Sequence, residues 1–152
     1  MSAVCDLEVE ALLAKKAIFP ISHPVDGFVS NMFAVKKKKE KEADPQLWRP
    51  IINLKRLNSF IVYEHFKMEG LDLVKFIIRR GDWMVKVDLK DAYFTVPVAP
   101  VHQKFLRFIW KGKFYQYICL PFGLCSAPRV FTKILKPVVA WLPRVASDWS
   151  FI

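Results

Sequence analysis

The sequence predicts an α+β domain, and three observations carry that reading. Stretches with helical spacing of apolar residues lie at 6–17, 70–80 and 126–142. Between them lie segments rich in aromatic and β-branched residues, at 28–35, 47–55, 84–89, 103–110 and 114–119. The chain has 152 residues, 53% of them hydrophobic and 14% aromatic, enough to fill one core and too apolar for a disordered tail.

In order, residues 6–17 place leucine, valine and alanine at helical intervals. Asp6, Glu8 and Glu10 come early and Lys15 and Lys16 late, an order that suits the helix dipole. Pro20, Pro24 and Gly27 mark a loop, and 28–35 is a strand. A lysine run, Lys36 to Lys39, then leads through Glu40, Lys41 and Glu42 to Leu47-Trp48-Arg49-Pro50-Ile51-Ile52-Asn53-Leu54-Lys55, the return strand of a hairpin. Residues 58–66 connect to a helix over 70–80, which ends in Arg79-Arg80-Gly81, a basic last turn and a glycine stop. Next comes a short strand, Met84 to Leu89, with an apolar face at 85, 87 and 89. Pro97 and Pro100 close that segment. The strands at 103–110 and 114–119 are joined through Lys111-Gly112-Lys113 as a hairpin. Ser126 caps a final helix with Pro128 in its first turn, running to about residue 142 and kinked at Pro137.

The net charge is +10, and beyond Asp91 eight Lys and Arg face one carboxylate, Asp148. A filled core with that excess points to a polyanion, most often nucleic acid. Cys5, Cys119 and Cys125 show no paired spacing, so free thiols and no zinc site are expected. The acidic N-terminus lacks a secretory hydrophobic region. No apolar run is long enough to span a bilayer, so no membrane partner is expected and an intracellular location, cytoplasm or nucleus, is.

Candidate chemistry centres on Asp88, at the end of the 84–89 strand, with Asp91 three residues on and Tyr93 beyond it. Carboxylates at a strand end hold hard cations such as Mg2+, and the same pattern equally fits a strand entering a turn that Asp91 caps. The lysine tip is either a solvated turn or, with Arg49 across the hairpin, a clamp for a triphosphate. On the last helix Arg129, Lys133 and Lys136 share a face at i, i+4, i+7, either solvated or tracking a phosphate backbone.

Four blocks in order resemble the reverse transcriptase domain of retroelements: VKKKK with WRPIINLKRLN, VDLKDAYF, the hairpin FLRFIWKGKFYQY, and LPFGLCSAPRVF. The wording, with HFKMEGL and DWMVKVDLKDAYFTVP, is closest to retrotransposons of the tyrosine-recombinase type. The resemblance covers roughly 6–142. It implies the fingers and partial palm of a right-hand polymerase, with an incomplete antiparallel palm sheet. The fingers fall at about 1–80, the palm at about 81–142 and a divergent tail at 143–152. It implies RNA-directed DNA polymerase chemistry on a template-primer of RNA or DNA with dNTP substrates, using Mg2+ (or Mn2+).

Residue by residue, the resemblance makes Asp88 the catalytic, metal-binding carboxylate. Asp91 lies by the incoming triphosphate, and Tyr93 is the aromatic gate under the sugar. Lys37 and Arg49 contact the phosphates, and Phe122 and Gly123 floor the nucleotide pocket. Pro128, with the basic stripe of Arg129, Lys133 and Lys136, meets the nucleic acid. The sequence departs from the family in one respect. The aromatic-x-Asp-Asp hairpin that should follow the last helix is absent, and Asp148 has no adjacent aspartate. A truncated polymerase that does not act alone, or a non-catalytic nucleic-acid-binding remnant, is therefore expected.

Overall fold

The structure is a computed structural model. It describes residues 2–36, 48–66, 80–81 and 88–147, the side chains of 139–140 and 142–147 excepted. The predicted helix over 70–79, the strand residues 84–87, the lysine run from Lys37 and the tail from Asp148 lie outside these residues.

Helix α1 (Ser2–Ala14) buries Cys5, Val9 and Leu12, at i, i+4, i+7. One apolar stripe thus meets the sheet, and burying side chains of this size contributes about 1.5–3 kcal/mol each. The helix starts four residues before the charge order implied, so Asp6, Glu8 and Glu10 sit within it and both lysines lie past its end. Lys16 ends it in the left-handed region (φ 54). Its N–H reaches the Leu13 carbonyl at 2.9 Å and that of Ala17 reaches Leu12 at 3.0 Å, a Schellman close.

Five strands form one sheet: β1 (Ile18–Ile21), β2 (Val29–Lys36), β3 (Trp48–Ile52), β4 (Arg107–Trp110) and β5 (Lys113–Tyr117), in the order β1-β5-β4-β2-β3. Three pairings are antiparallel, and β2 runs parallel to β4, with Ser30 opposite Phe108. The sheet is therefore mixed. The predicted antiparallel pairing of β2 with β3 is present, but Arg49 sits across from Val35 rather than from a lysine, and it is Trp48 that faces Lys36.

β1 replaces the loop expected around Pro20. Pro20 pairs with Tyr115 in a strand that among the described residues has a neighbour on one side only, where a missing N–H costs no ladder bond. Pro50 sits likewise on the other flank, in β3. Gly27 precedes β2 with φ 91, and a Cβ there would lie 2.3 Å from the Lys104 carbonyl oxygen. Only glycine admits that approach.

Residues 103–110 are not all strand. Pro100 opens a short helix, α3 (Pro100–Gln103), because its preset φ suits a first helical position, so β4 starts at Arg107. The β4–β5 turn is Lys111-Gly112, both at positive φ (47 and 75), the two-residue geometry that matches strand twist. Helix α2 (Lys55–Asn58) takes the first residue of the predicted 58–66 connector, and the rest is irregular.

Helix α4 (Ala127–Ser147) starts as predicted: the Ser126 carbonyl accepts the Val130 N–H at 3.0 Å, placing Ser126 at the cap. It runs five residues past 142 and is continuous through Pro137, whose missing N–H removes one bond without ending it. The core joins the two halves of the chain. Phe108, fully buried, stacks on Tyr115 at 5.3 Å between ring centroids and lies 5.7 Å from Tyr117.

Candidate functional site

Arg49, Phe122 and Gly123 line one cavity of about 240 Å³. Its walls are Glu8 and Leu12 from α1, Met32 from β2, Arg49 to Ile52 from β3, Phe94, and Tyr117 from β5. β3 supplies Arg49, which is exposed. The turn after Leu120-Pro121 supplies Phe122 and Gly123, the latter at φ 92.

Asp91 opens a 3-10 turn (Ala92–Thr95) in the left-handed region, φ 56. The Phe94 N–H donates to the Asp91 carbonyl at 2.8 Å. The capping role expected of the Asp91 side chain is not what is seen: no side-chain cap bond forms, and its carboxylate instead accepts from Lys15 Nζ at 3.0 Å. Tyr93 is half-buried, its ring centroid 5.1 Å from that of Phe122 and 5.5 Å from that of Phe131. Phe94 meets Phe122 edge-on at 5.1 Å. The two aromatics of the turn are thus fixed against the floor of the cavity and the start of α4.

Asp88 is exposed and lies outside regular structure, as does Leu89, which is 51% exposed. The apolar face predicted at 85, 87 and 89 therefore does not extend to Leu89, because the chain has already left strand geometry to enter the turn at Lys90. Among the described residues no three His, Cys, Asp or Glu side chains gather closely enough to hold a metal ion. The carboxylate set that Mg2+ (or Mn2+) requires is thus not completed by them.

On α4, Pro128 falls in the first turn. Arg129 donates to the Glu64 carboxylate, while Lys133 and Lys136 are exposed. Lys37 lies outside the described residues. Among those residues no helix is long and apolar enough to cross a membrane.

Sequence reasoning missed four contributors. Glu8 enters the cavity from α1, and burial pushes its carboxyl above the usual range, Lys15 opposing and Asp91 reinforcing the shift. Phe94 and Tyr117 line the wall. Asn58 fastens the floor: its Nδ2 donates to the Gly123 carbonyl at 2.9 Å, and its Oδ1 accepts the Cys125 N–H at 3.0 Å. An asparagine after Arg-Leu is a weak signal by itself. Only its reach across 65 residues gives it a role.

Residues 35–148 match the family described as reverse transcriptase (RNA-dependent DNA polymerase). The chain belongs to the reverse transcriptase family. It is 31% identical over 126 residues to the Gag-Pro-Pol polyprotein of Simian retrovirus SRV-2, a match covering 78% of this chain and 7% of that protein. It is 23% identical over 128 residues to the retrovirus-related Pol polyprotein from transposon 412 of Drosophila melanogaster, covering 84% of this chain and 10% of that one. The fold is that of the prototype foamy virus protease-reverse transcriptase, with a TM-score of 0.70 at 20% identity over 91% of this chain and 17% of that one. A foamy viral protease-reverse transcriptase in complex with double-stranded DNA gives a TM-score of 0.62 at 16% identity, covering 95% of this chain and 22% of that one. This reverse transcriptase chain therefore spans a small fraction of its relatives' length, and its partial polymerase fold combines helices with the five-stranded sheet.

Proposed function

We propose that this chain is the fingers (about 1–80) and part of the palm (about 81–142) of a retroelement RNA-directed DNA polymerase, of the tyrosine-recombinase type. The cavity bounded by Arg49, Phe94, Phe122 and Gly123 is its dNTP pocket. The observation that carries this reading is the convergence of those residues, 73 positions apart in sequence from Arg49 to Phe122, on one cavity beside Tyr93. Arg49, with Lys37, neutralises the triphosphate. Guanidinium and ammonium groups do this where charge shifts during phosphoryl transfer. Asp91 lies beside the triphosphate, and Tyr93 blocks a 2′-hydroxyl. Phe122 and Gly123 support the base. Pro128, Arg129, Lys133 and Lys136 face the template-primer.

Asp88 supplies one carboxylate toward a divalent cation. Among the described residues no three carboxylate, thiol or imidazole side chains gather to hold the ion, and this chain by itself binds without polymerising. The subclass rests on the wording of HFKMEGL and DWMVKVDLKDAYFTVP. The complex of the foamy viral relative with DNA supports a duplex as partner.

The test is fluorescence anisotropy of the purified chain on a labelled template-primer between 50 and 200 mM salt, with primer extension run alongside. Affinity should fall with salt, and the Lys133→Ala/Lys136→Ala pair should lower the log–log slope by about 2 if both touch phosphate. Asp88→Asn should leave duplex affinity unchanged. Salt-independent binding would remove the nucleic-acid assignment, and primer extension with Mg2+ or Mn2+ would overturn the claim of incompleteness.

A further inference from the structure

One cation next to this site has no part in the reading above. Lys15 lies just beyond the end of α1, and its Nζ is 3.0 Å from each carboxylate oxygen of Asp91. The same ammonium lies 5.7 Å from the centroid of the Phe94 ring. Asp91 and Phe94 bracket Tyr93, so one side chain just past the N-terminal helix meets the 3-10 turn on both sides of the aromatic gate. The contact bears on the shape of the turn. Asp91 sits at φ 56, a left-handed conformation that aspartate tolerates better than most residues but still at a cost. The Tyr93 ring packs on Phe122 and Phe131, and Phe94 packs on the same Phe122 ring. Where the ring sits over the cavity therefore depends on the anchor of the turn as well as on these contacts.

We propose that Lys15 is a positioning residue for sugar discrimination: by holding Asp91 and Phe94 it fixes how far the Tyr93 ring projects over the nucleotide pocket. This inference rests on the assignment of Tyr93 to the sugar. Releasing the anchor lets the turn relax, the ring retreats, and a 2′-hydroxyl finds room. The pair adds little to global stability. The Lys15 and Asp91 side chains are 41% and 31% exposed, and exposed ion pairs contribute weakly. Its effect is local, on specificity, which is a difference between two affinities. Arginine at 15 keeps both the charge and the cation–aromatic contact.

The experiment measures equilibrium binding of dATP and of ATP, with Mg2+ and template-primer, to the full chain and to the Lys15→Ala and Lys15→Arg variants, with a thermal melt of each. The alanine variant should lower the dATP-over-ATP preference by at least about threefold with an unchanged melt, and the arginine variant should keep the preference. Equal weakening of both nucleotides in Lys15→Ala, or a lowered melt with the preference intact, would show a merely structural lysine and overturn the inference alone. Absence of any dATP preference in the wild-type chain would overturn the sugar assignment of Tyr93 itself, and this inference with it.

Discussion

Replacing Asn58 by alanine tests whether the pocket floor is held from α2. The amide of Asn58 makes two hydrogen bonds to the turn that carries Phe122 and Gly123, at 2.9 and 3.0 Å. Each bond of this kind contributes about 1 kcal/mol net, and truncation leaves a carbonyl and an N–H to find water, so the loss should be about 2 kcal/mol. For a chain of this length about 1 kcal/mol moves the melting temperature by roughly 2–4 °C, giving an expected drop of about 4–8 °C. Circular dichroism melts of wild type, Asn58→Ala and Asn58→Asp measure it. Aspartate keeps the acceptor for Cys125 but turns an oxygen on the Gly123 carbonyl, so it should be no better than alanine. A drop below about 1 °C, or an aspartate variant as stable as wild type, would refute the argument that these two bonds secure the floor.

Three other outcomes follow from the same physical reading. Ser30 is buried on β2 and its hydroxyl has no hydrogen-bond partner among the described residues, so Ser30→Ala should stabilise by about 1 kcal/mol in urea titration. Burial pushes the Cys119 thiol up to about 11 and raises that of Cys5, while Cys125 is half-exposed, so Ellman's reagent should modify one thiol quickly in the folded protein and all three after denaturation. The hydrogen bond from Lys104, then its charge, holds the Asp26 carboxyl below the usual carboxylate range. A depressed folded value stabilises above the unfolded one, about 3.9, and that contribution is lost as pH falls through the folded value. Stability measured below about pH 4 should therefore fall less steeply in Asp26→Asn than in wild type.

Local chemistry made some elements legible. The β4–β5 hairpin declared itself through alternating aromatics around Lys-Gly, and α4 through Ser126, Pro128 and its apolar spacing. β1 did not, because a proline in a short run signals a loop unless the strand is known to lie on a flank, and that position is a tertiary fact. The start of α1 was misplaced for a related reason. Charge order favours a helix beginning at Asp6, yet Asp6 serves the hairpin instead, accepting from Trp110 Nε1 at 2.8 Å and from Lys111 Nζ at 2.7 Å. Of the site, Arg49, Tyr93, Phe122 and Gly123 came with recognisable blocks. Glu8, Lys15, Phe94 and Asn58 did not, because their roles exist only through partners far along the chain. The Lys15–Asp91 pair, for example, spans 76 positions.

The two prolines on the sheet's flanks have a consequence for how molecules of this chain meet. A ribbon from another copy that tried to extend the sheet beside β1 or β3 would find a missing donor at Pro20 or Pro50, in the middle of each docking rail. Fibril-like growth by strand addition is thereby blunted at both described ends. Sticking between copies then falls to exposed apolar side chains, among them Ile134, Val138 and Trp141 on α4 and Phe60, Val62 and Tyr63 in the connector, and mild detergent should disperse it.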